Sequence, residues 1–320
     1  MKKKQKLLLW LSDNSIFFLL SIILVLAALV GKSFYTKANL MLLLKETSLY
    51  GIIAIGITFV LLLGFTDMSI GPQVSMFSVI AILASQRFGL ASMVLSCVLL
   101  SIISGLLNGL LVSKVHVVPF ITTLGTMTVF KGIALILAGG KPIASSLLTV
   151  YDIYTYELLG VPISIVVFLI FLIIAAYLLY FTKFGLQVYA CGGNLESAKA
   201  AGINTDRITI ICYLLSAFCA SCAGAFYASR MGVGSPVLGD NYTLPVIASC
   251  VIGGIRSTGG KGNFVKTFCG VLFMQIIYNL MAMSGFDAYT QYFVIGVVIL
   301  GVLFLDKYTE KVQKINLAQE

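Results

Sequence analysis

Long apolar runs alternate with short polar segments along nearly the whole chain. Runs near 15–31, 47–64, 71–86, 90–112, 119–140, 161–182, 208–229, 242–255, 264–284 and 289–305 are each long enough to cross, or nearly cross, a hydrocarbon layer about 30 Å thick. The pattern predicts an all-α polytopic membrane protein with about ten transmembrane helices, the third and eighth of them short. Breaks rich in Gly and Pro fall at 64–72 and 232–239, one in each half. Irregular backbone at membrane depth is tolerated only where protein or water satisfies it, and paired breaks can mark a transport path.

One polar stretch, 183–207, interrupts this pattern most clearly. Within it, residues 194–201 read as a short helix with Asn194 as N-cap, Ala198, Ala200 and Ala201 as helix formers, and Gly202 as terminator. A small helix between two long apolar spans suits docking to a soluble partner. It holds no plausible catalytic set of its own.

Composition narrows the class further. Apolar residues make up 59% of the chain and charged ones 10%, more apolar surface than a soluble domain of 320 residues can bury. The net charge of +9 does not point to nucleic acid, because the basic residues sit at the ends of apolar runs. With the N-terminus inside, fourteen Lys and Arg fall in cytoplasmic segments and six in outer ones, Lys131 lying mid-span. That bias predicts both termini in the cytoplasm, 183–207 on the inner side, and 141–160, with Asp152 and Glu157, outside. The opening Met1–Lys6 cluster followed by apolar 16–30 resembles a signal peptide but lacks a clean small-x-small cleavage site, so it reads as an uncleaved first span.

The candidate chemistry is sparse. Asp67, between two apolar runs, would cost on the order of 2.5–3.5 kcal/mol at a bilayer centre. It must cap the following helix with help from Ser69, line a wet cavity, sit at an interface, or bond nearby backbone N–H groups. Lys131 lies mid-run and serves the path, packs helices, or snorkels from a displaced helix end. Thr122, Thr123, Thr126 and Thr128 with Gly125 suit close helix packing or a polar lining. Gly105 and Gly109, at G-x-x-x-G spacing, favour a tight helix contact in which Asn108 bonds across helices.

Other motifs fail their tests. Residues 253–262 resemble a phosphate loop, but Ile255 holds the first glycine position and Gly262 follows Lys261 where Ser or Thr is needed, so a flexible turn is expected. Cys219-x-x-Cys222 lies inside an apolar run, with no second pair and a single histidine, His116, in the chain. His116 has no neighbouring nucleophile or carboxylate. No enzyme motif is present.

Taken in order, residues 105–112, 118–132, 191–204 and 251–262 resemble the permease subunits of ribose-type sugar ABC importers, and the likeness runs over roughly 45–305. The segment 65–71 is similar to that family's Gly-Ile-Asp-Leu-Ser-Val-Gly stretch, with Pro72 departing from the usual small residue. The resemblance implies one transmembrane permease domain over 1–320, working as a pair with a second permease copy or paralogue in a bacterial-type inner membrane. It implies cytoplasmic ATPase subunits that carry ATP and Mg, an extracytoplasmic substrate-binding protein, and no cofactor bound by this chain. Gly192, Gly193, Asn194, Glu196, Ala198, Gly202 and Ile203 match the segment expected to meet the ATPase. Asp67, Asn108, Thr122, Thr126 and Lys131 are the candidates for the translocation path. The expected cargo is a ribose-like monosaccharide or related small polar solute, with nucleosides or autoinducer-like furanosides as alternatives within the family. Outside the family the alternatives are an ion-coupled secondary transporter using Asp67 and Lys131, or a polytopic membrane enzyme.

Overall fold

The computed structural model describes residues 15–30 and 33–317. The basic cluster Lys2, Lys3, Lys4 and Lys6, the single Trp10, and Gly31 with Lys32 lie outside the described residues. A helix occupies each of the ten predicted runs: α1 (Ser15–Val30), α2 (Lys37–Leu62), α3 (Ile70–Phe88), α4 (Leu90–Ser113), α5 (Pro119–Ala138), then, after a short α6 (Thr149–Thr155), α7 (Ile163–Phe181). Two short helices follow, α8 (Lys183–Gly193) and α9 (Leu195–Ala200). The remainder is α10 (Thr205–Met231), a 3-10 turn (Leu238–Asn241), α11 (Thr243–Ile252), α12 (Phe264–Met283) and α13 (Ala288–Leu317). Six of them, α2, α4, α5, α7, α10 and α12, are long and apolar enough to cross a membrane by length and composition.

Helix ends follow capping chemistry, which is why they depart from the apolar runs. α2 starts at Lys37, well before its run, because the Thr36 side chain accepts from the Asn39 N–H. Asn204 and Asn263 cap α10 and α12 in the same way, accepting from Arg207 N at 3.0 Å and Lys266 N at 2.8 Å. α10 ends where Gly232 takes a left-handed conformation at φ 61°, a region costly for residues with a Cβ.

α10 and α2 form the centre. In their most apolar stretches 61% and 67% of residues are buried, against 28%, 28% and 22% in α4, α5 and α7. Small residues let these helices close in. A Cβ on Gly56 would lie 2.7 Å from Cys219 Cβ, and Cβ atoms on Gly105 and Gly109 would lie 2.7 and 2.9 Å from the Cα atoms of Leu214 and Ile210 on α10. The Gly105–Gly109 pair therefore makes the tight helix contact its spacing predicts. On its other side α4 turns Leu95, Leu99 and Ile103 outward, one turn apart, as a helix facing lipid does.

The segment 141–162 carries local structure that hydropathy does not mark. β1 (Ile143–Ala144) pairs antiparallel with β4 (Val233–Gly234), and β2 (Glu157–Leu158) with β3 (Val161–Pro162). Gly234 sits against the backbone of Ser78 and Val79 on α3, so the break after α10 is pinned on both sides. All seven cysteines are free thiols, five of them buried; Cys222 and Cys269 are half-buried. Among the described residues no group of three or more His, Cys, Asp or Glu gathers as a metal site would require.

Candidate functional site

The polar stretch 183–207 folds as two helices joined by one extended residue. α8 runs to Gly193, a helix that the sequence reading does not anticipate. Asn194, at φ −160° and ψ 112°, then turns the chain, and its side chain accepts from Ser197 N at 2.9 Å to start α9. Gly202, at φ 81°, closes α9: its N–H donates to Lys199 O at 2.9 Å and that of Ile203 to Ala198 O at 3.1 Å. This double bond pattern is a Schellman stop. Ala198 is buried, while Glu196, Ser197, Lys199 and Ala200 face outward. The predicted short helix is therefore present, between the predicted cap and terminator.

The stretch rests on backbone. A Cβ on Gly192 would lie 1.8 Å from Leu62 O at the end of α2 and 2.6 Å from Gly260 N. Those two atoms are themselves bonded, Gly260 N donating to Leu62 O at 2.9 Å. A Cβ on Gly259 would lie 2.5 Å from Gly64 N, and Tyr189 Oη donates to Gly262 O at 2.8 Å. The 253–262 loop, expected as a flexible turn, is instead wedged between α8 and the end of α2. Glycine is what permits three backbones to meet without side chains between them. Nearby, Lys114 Nζ meets Asp206 Oδ2 at 2.8 Å, tying α4 to α10.

Three residues beyond Gly64 the chain reaches Asp67, which is fully buried. Its Oδ1 accepts from Ser69 N at 2.9 Å and Ser69 Oγ at 2.6 Å, and its Oδ2 from Ser216 Oγ on α10 at 3.0 Å. Ser69 Oγ in turn accepts from Gln73 Nε2 at 2.8 Å and Asn108 Nδ2 at 2.9 Å. Thr126 Oγ1 donates to Asn108 Oδ1 at 2.7 Å, and Ser104 Oγ to Gln73 Oε1 at 3.2 Å. Asp67 thus closes the turn before α3 and anchors a network joining α3, α4, α5 and α10. A buried carboxylate held this way is satisfied through hydroxyls and one N–H.

Of the five path candidates, Asp67, Asn108 and Thr126 come together in this network. Thr122 is buried nearby in sequence, on the same helix as Thr126, with its hydroxyl unpartnered. Lys131 stands apart: its Nζ meets Asp240 Oδ2 in the 3-10 turn at 2.7 Å, both side chains half-exposed. Thr123 bonds the backbone oxygen of Thr66 at 3.1 Å. Ser104, at the head of the small-residue stretch 104–109, joins the network; Gln73 and Ser216 belong to it but carry no sequence motif, a polar residue inside an apolar run being the only signal they give.

The two Gly/Pro breaks also meet. Gly71 and Gly239 touch backbone to backbone, since a Cβ on Gly239 would lie 1.8 Å from Gly71 O. Gly71 N donates to Thr243 Oγ1 at 3.2 Å and Gly239 N to Ser75 Oγ at 2.7 Å. A backbone N–H in each break is thus satisfied by a hydroxyl on the helix that follows the other break.

The family model described as branched-chain amino acid transport system / permease component matches residues 39–303. The ribose import permease protein of Bacillus subtilis (strain 168) is 35% identical over 301 residues, covering 90% of each chain. That of Escherichia coli (strain K12) is 31% identical over 303 residues, 93% of this chain and 94% of its own. The autoinducer 2 import system permease protein of Yersinia pseudotuberculosis serotype O:1b (strain IP 31758) is 31% identical over 289 residues, 89% of this chain and 82% of its own. No solved structure matches the chain.

Proposed function

The chain belongs to this family of transport permease components, and on that premise we propose that it carries a ribose-like monosaccharide across a bacterial-type inner membrane. It is a multi-pass membrane protein and the permease subunit of an ABC importer, a transport component and not an enzyme. The observation that carries the substrate reading is the 35% identity to a ribose import permease over 90% of both chains. An autoinducer-like furanoside is the second reading, favoured by the 31% identity to an autoinducer 2 import permease.

In this reading the chain crosses the membrane ten times with both termini cytoplasmic, and 183–207 meets the ATPase. A second permease copy or paralogue completes the path. ATP and Mg bind the ATPase subunits, and an extracytoplasmic binding protein delivers the solute. The exposed face of α9, with Glu196 and Lys199, is the contact surface, and Gly192, seated on Leu62, carries its displacement onward. Because Gly192 abuts Leu62, motion of α9 reaches the end of α2 through backbone and then the Asp67 turn five residues on. Asp67, Asn108 and Thr126 hold the helices on either side of the path in register.

The test is co-purification with the ATPase subunit in mild detergent, followed by ATP-driven uptake of radiolabelled ribose into proteoliposomes that also receive the binding protein. The double variant Glu196→Lys, Gly202→Pro is expected to insert normally and lose the ATPase. Normal association of that variant would remove α9 from its role, and absence of any ATPase from the wild-type preparation would overturn the assembly.

A further inference from the structure

At the end of the bundle away from α9 a cavity of about 310 Å³ opens between α2, the start of α11, α12 and α13. Along α2 it lies sixteen residues from the Leu62 contact, about 24 Å at a helical rise of ~1.5 Å per residue. Its volume falls at the lower end of the range for small-molecule pockets, roughly 300–1,000 Å³.

Three tyrosines form part of the wall. The rings of Tyr50 and Tyr242 meet edge to face at 5.0 Å, Tyr50 and Tyr278 lie 6.3 Å apart, and Tyr242 is backed by the stacked ring of Tyr227 at 5.0 Å. Rings locked by one another present fixed apolar faces with polar hydroxyl edges. Gln275, 4% exposed, belongs to the same wall, and its Nε2 is buried without a hydrogen-bond partner. A buried amide donor left open inside an apolar helix is costly unless something fills it. Asn279, one turn on, is held by reciprocal bonds with Asn39 at 2.9 and 3.0 Å, which fixes its position on the wall.

The charge in the wall is cancelled. Glu46 is gripped by both terminal nitrogens of Arg230, with Nη1 to Oε2 at 2.7 Å. A bidentate pair of this kind leaves neither charge seeking an ionic ligand. Aromatic faces, an unsatisfied amide donor just behind the wall and a neutral rim together suit a small, neutral, polyhydroxylated molecule better than an ion.

We infer that this cavity is a binding site in the permease for a neutral solute of monosaccharide size, with the unsatisfied Gln275 amide turning from its buried position to donate to a hydroxyl and Tyr50, Tyr242 and Tyr278 bounding its faces. The substrate class rests on the importer reading above. Occupancy would bear on the broken segments, because Tyr242 N donates to Gly239 O at 3.0 Å and Gly239 abuts Gly71. A solute pressing on Tyr242 therefore touches the junction of the two breaks within three residues.

The experiment is saturation-transfer NMR of D-ribose on the full permease in nanodiscs, with no binding protein present. Transfer to ribose is expected for the wild type. It should fall about fivefold in Gln275→Leu, the loss of roughly one hydrogen bond, and vanish in Ala282→Phe, which fills the half-open wall with little change to the packed interior. Tyr278→Phe, which keeps the ring, should retain it. No transfer to the wild type, or equal transfer to wild type, Gln275→Leu and Ala282→Phe, overturns the site. Failure of the importer reading shows elsewhere, as absence of the ATPase in the co-purification, so the two outcomes are separable.

Discussion

Replacing Gly192 by alanine sets two effects of opposite sign against each other. Gly192 lies near the end of α8 and needs no left-handed conformation, so alanine should favour the helix by up to about 1 kcal/mol. Against this, the new Cβ would sit 1.8 Å from Leu62 O, and reaching even a 3.0 Å separation requires a shift of 1.2 Å. The atoms that must move are backbone and cannot swing aside. Forcing them apart strains the packing by about 1–3 kcal/mol. It also breaks the bond from Gly260 N to Leu62 O, leaving buried backbone groups open at a further ~1–3 kcal/mol. The net loss is between about 1 and 6 kcal/mol, so sterics win. Gly193 is the internal control: the next residue in the same helix, it has no atom within 4 Å of a built Cβ. The assay is thermal unfolding of detergent-solubilised permease followed by size-exclusion fluorescence, with ATP hydrolysis and uptake measured on the assembled importer. Gly192→Ala should melt lower than wild type and uncouple hydrolysis from uptake, whereas Gly193→Ala should melt at or above wild type and transport normally. Equal melting and equal transport for the two variants would refute the backbone contact as the route from α9 to α2.

Two further substitutions probe the interior. Asp67→Leu strips acceptors from Ser69 and Ser216 and should destabilise the permease by about 1–3 kcal/mol for each donor left open, while Asp67→Asn keeps an acceptor and should lose less; the same thermal assay ranks them. Lys131→Met and Asp240→Asn break a half-exposed pair, so a double-mutant cycle on melting should return a coupling below about 1 kcal/mol, and a larger value would mean that the pair is desolvated in the membrane.

The parts of this fold legible in the sequence are those set by local chemistry. Asn194 and Gly202 mark α9 because a cap and a left-handed terminator act within one helical turn of themselves. The apolar runs mark the helices but not their ends, since α2 begins at its Thr36 cap and not where hydropathy rises. Asp67, Asn108 and Thr126 stand out singly as polar residues in apolar surroundings. Their meeting does not, because Ser216, which completes the carboxylate's coordination, is 149 residues from Asp67. Gly192 against Leu62 is hidden for the same reason: a glycine packed on distant backbone looks like a glycine in a turn. The 253–262 loop shows how this misleads, since its glycines predict freedom and the fold uses them for contact. Gln275 was readable only as one amide within the run 264–284, and its significance came from what surrounds it.

The placement of the thiols has a practical consequence for watching this machine work. Thiol reagents need an accessible sulfur, and five of the seven cysteines are sealed among packed helices where a reagent does not reach them easily. The native chain thus supplies a nearly silent labelling background, with only Cys222 and Cys269 to be replaced before single reporters are introduced. A cysteine at Ala282 would then time the opening of the far cavity, and one at Glu196 the arrival of the ATPase. Reaction of the five sealed thiols during turnover would itself register a helix rearrangement too large for a rigid α2–α10 centre.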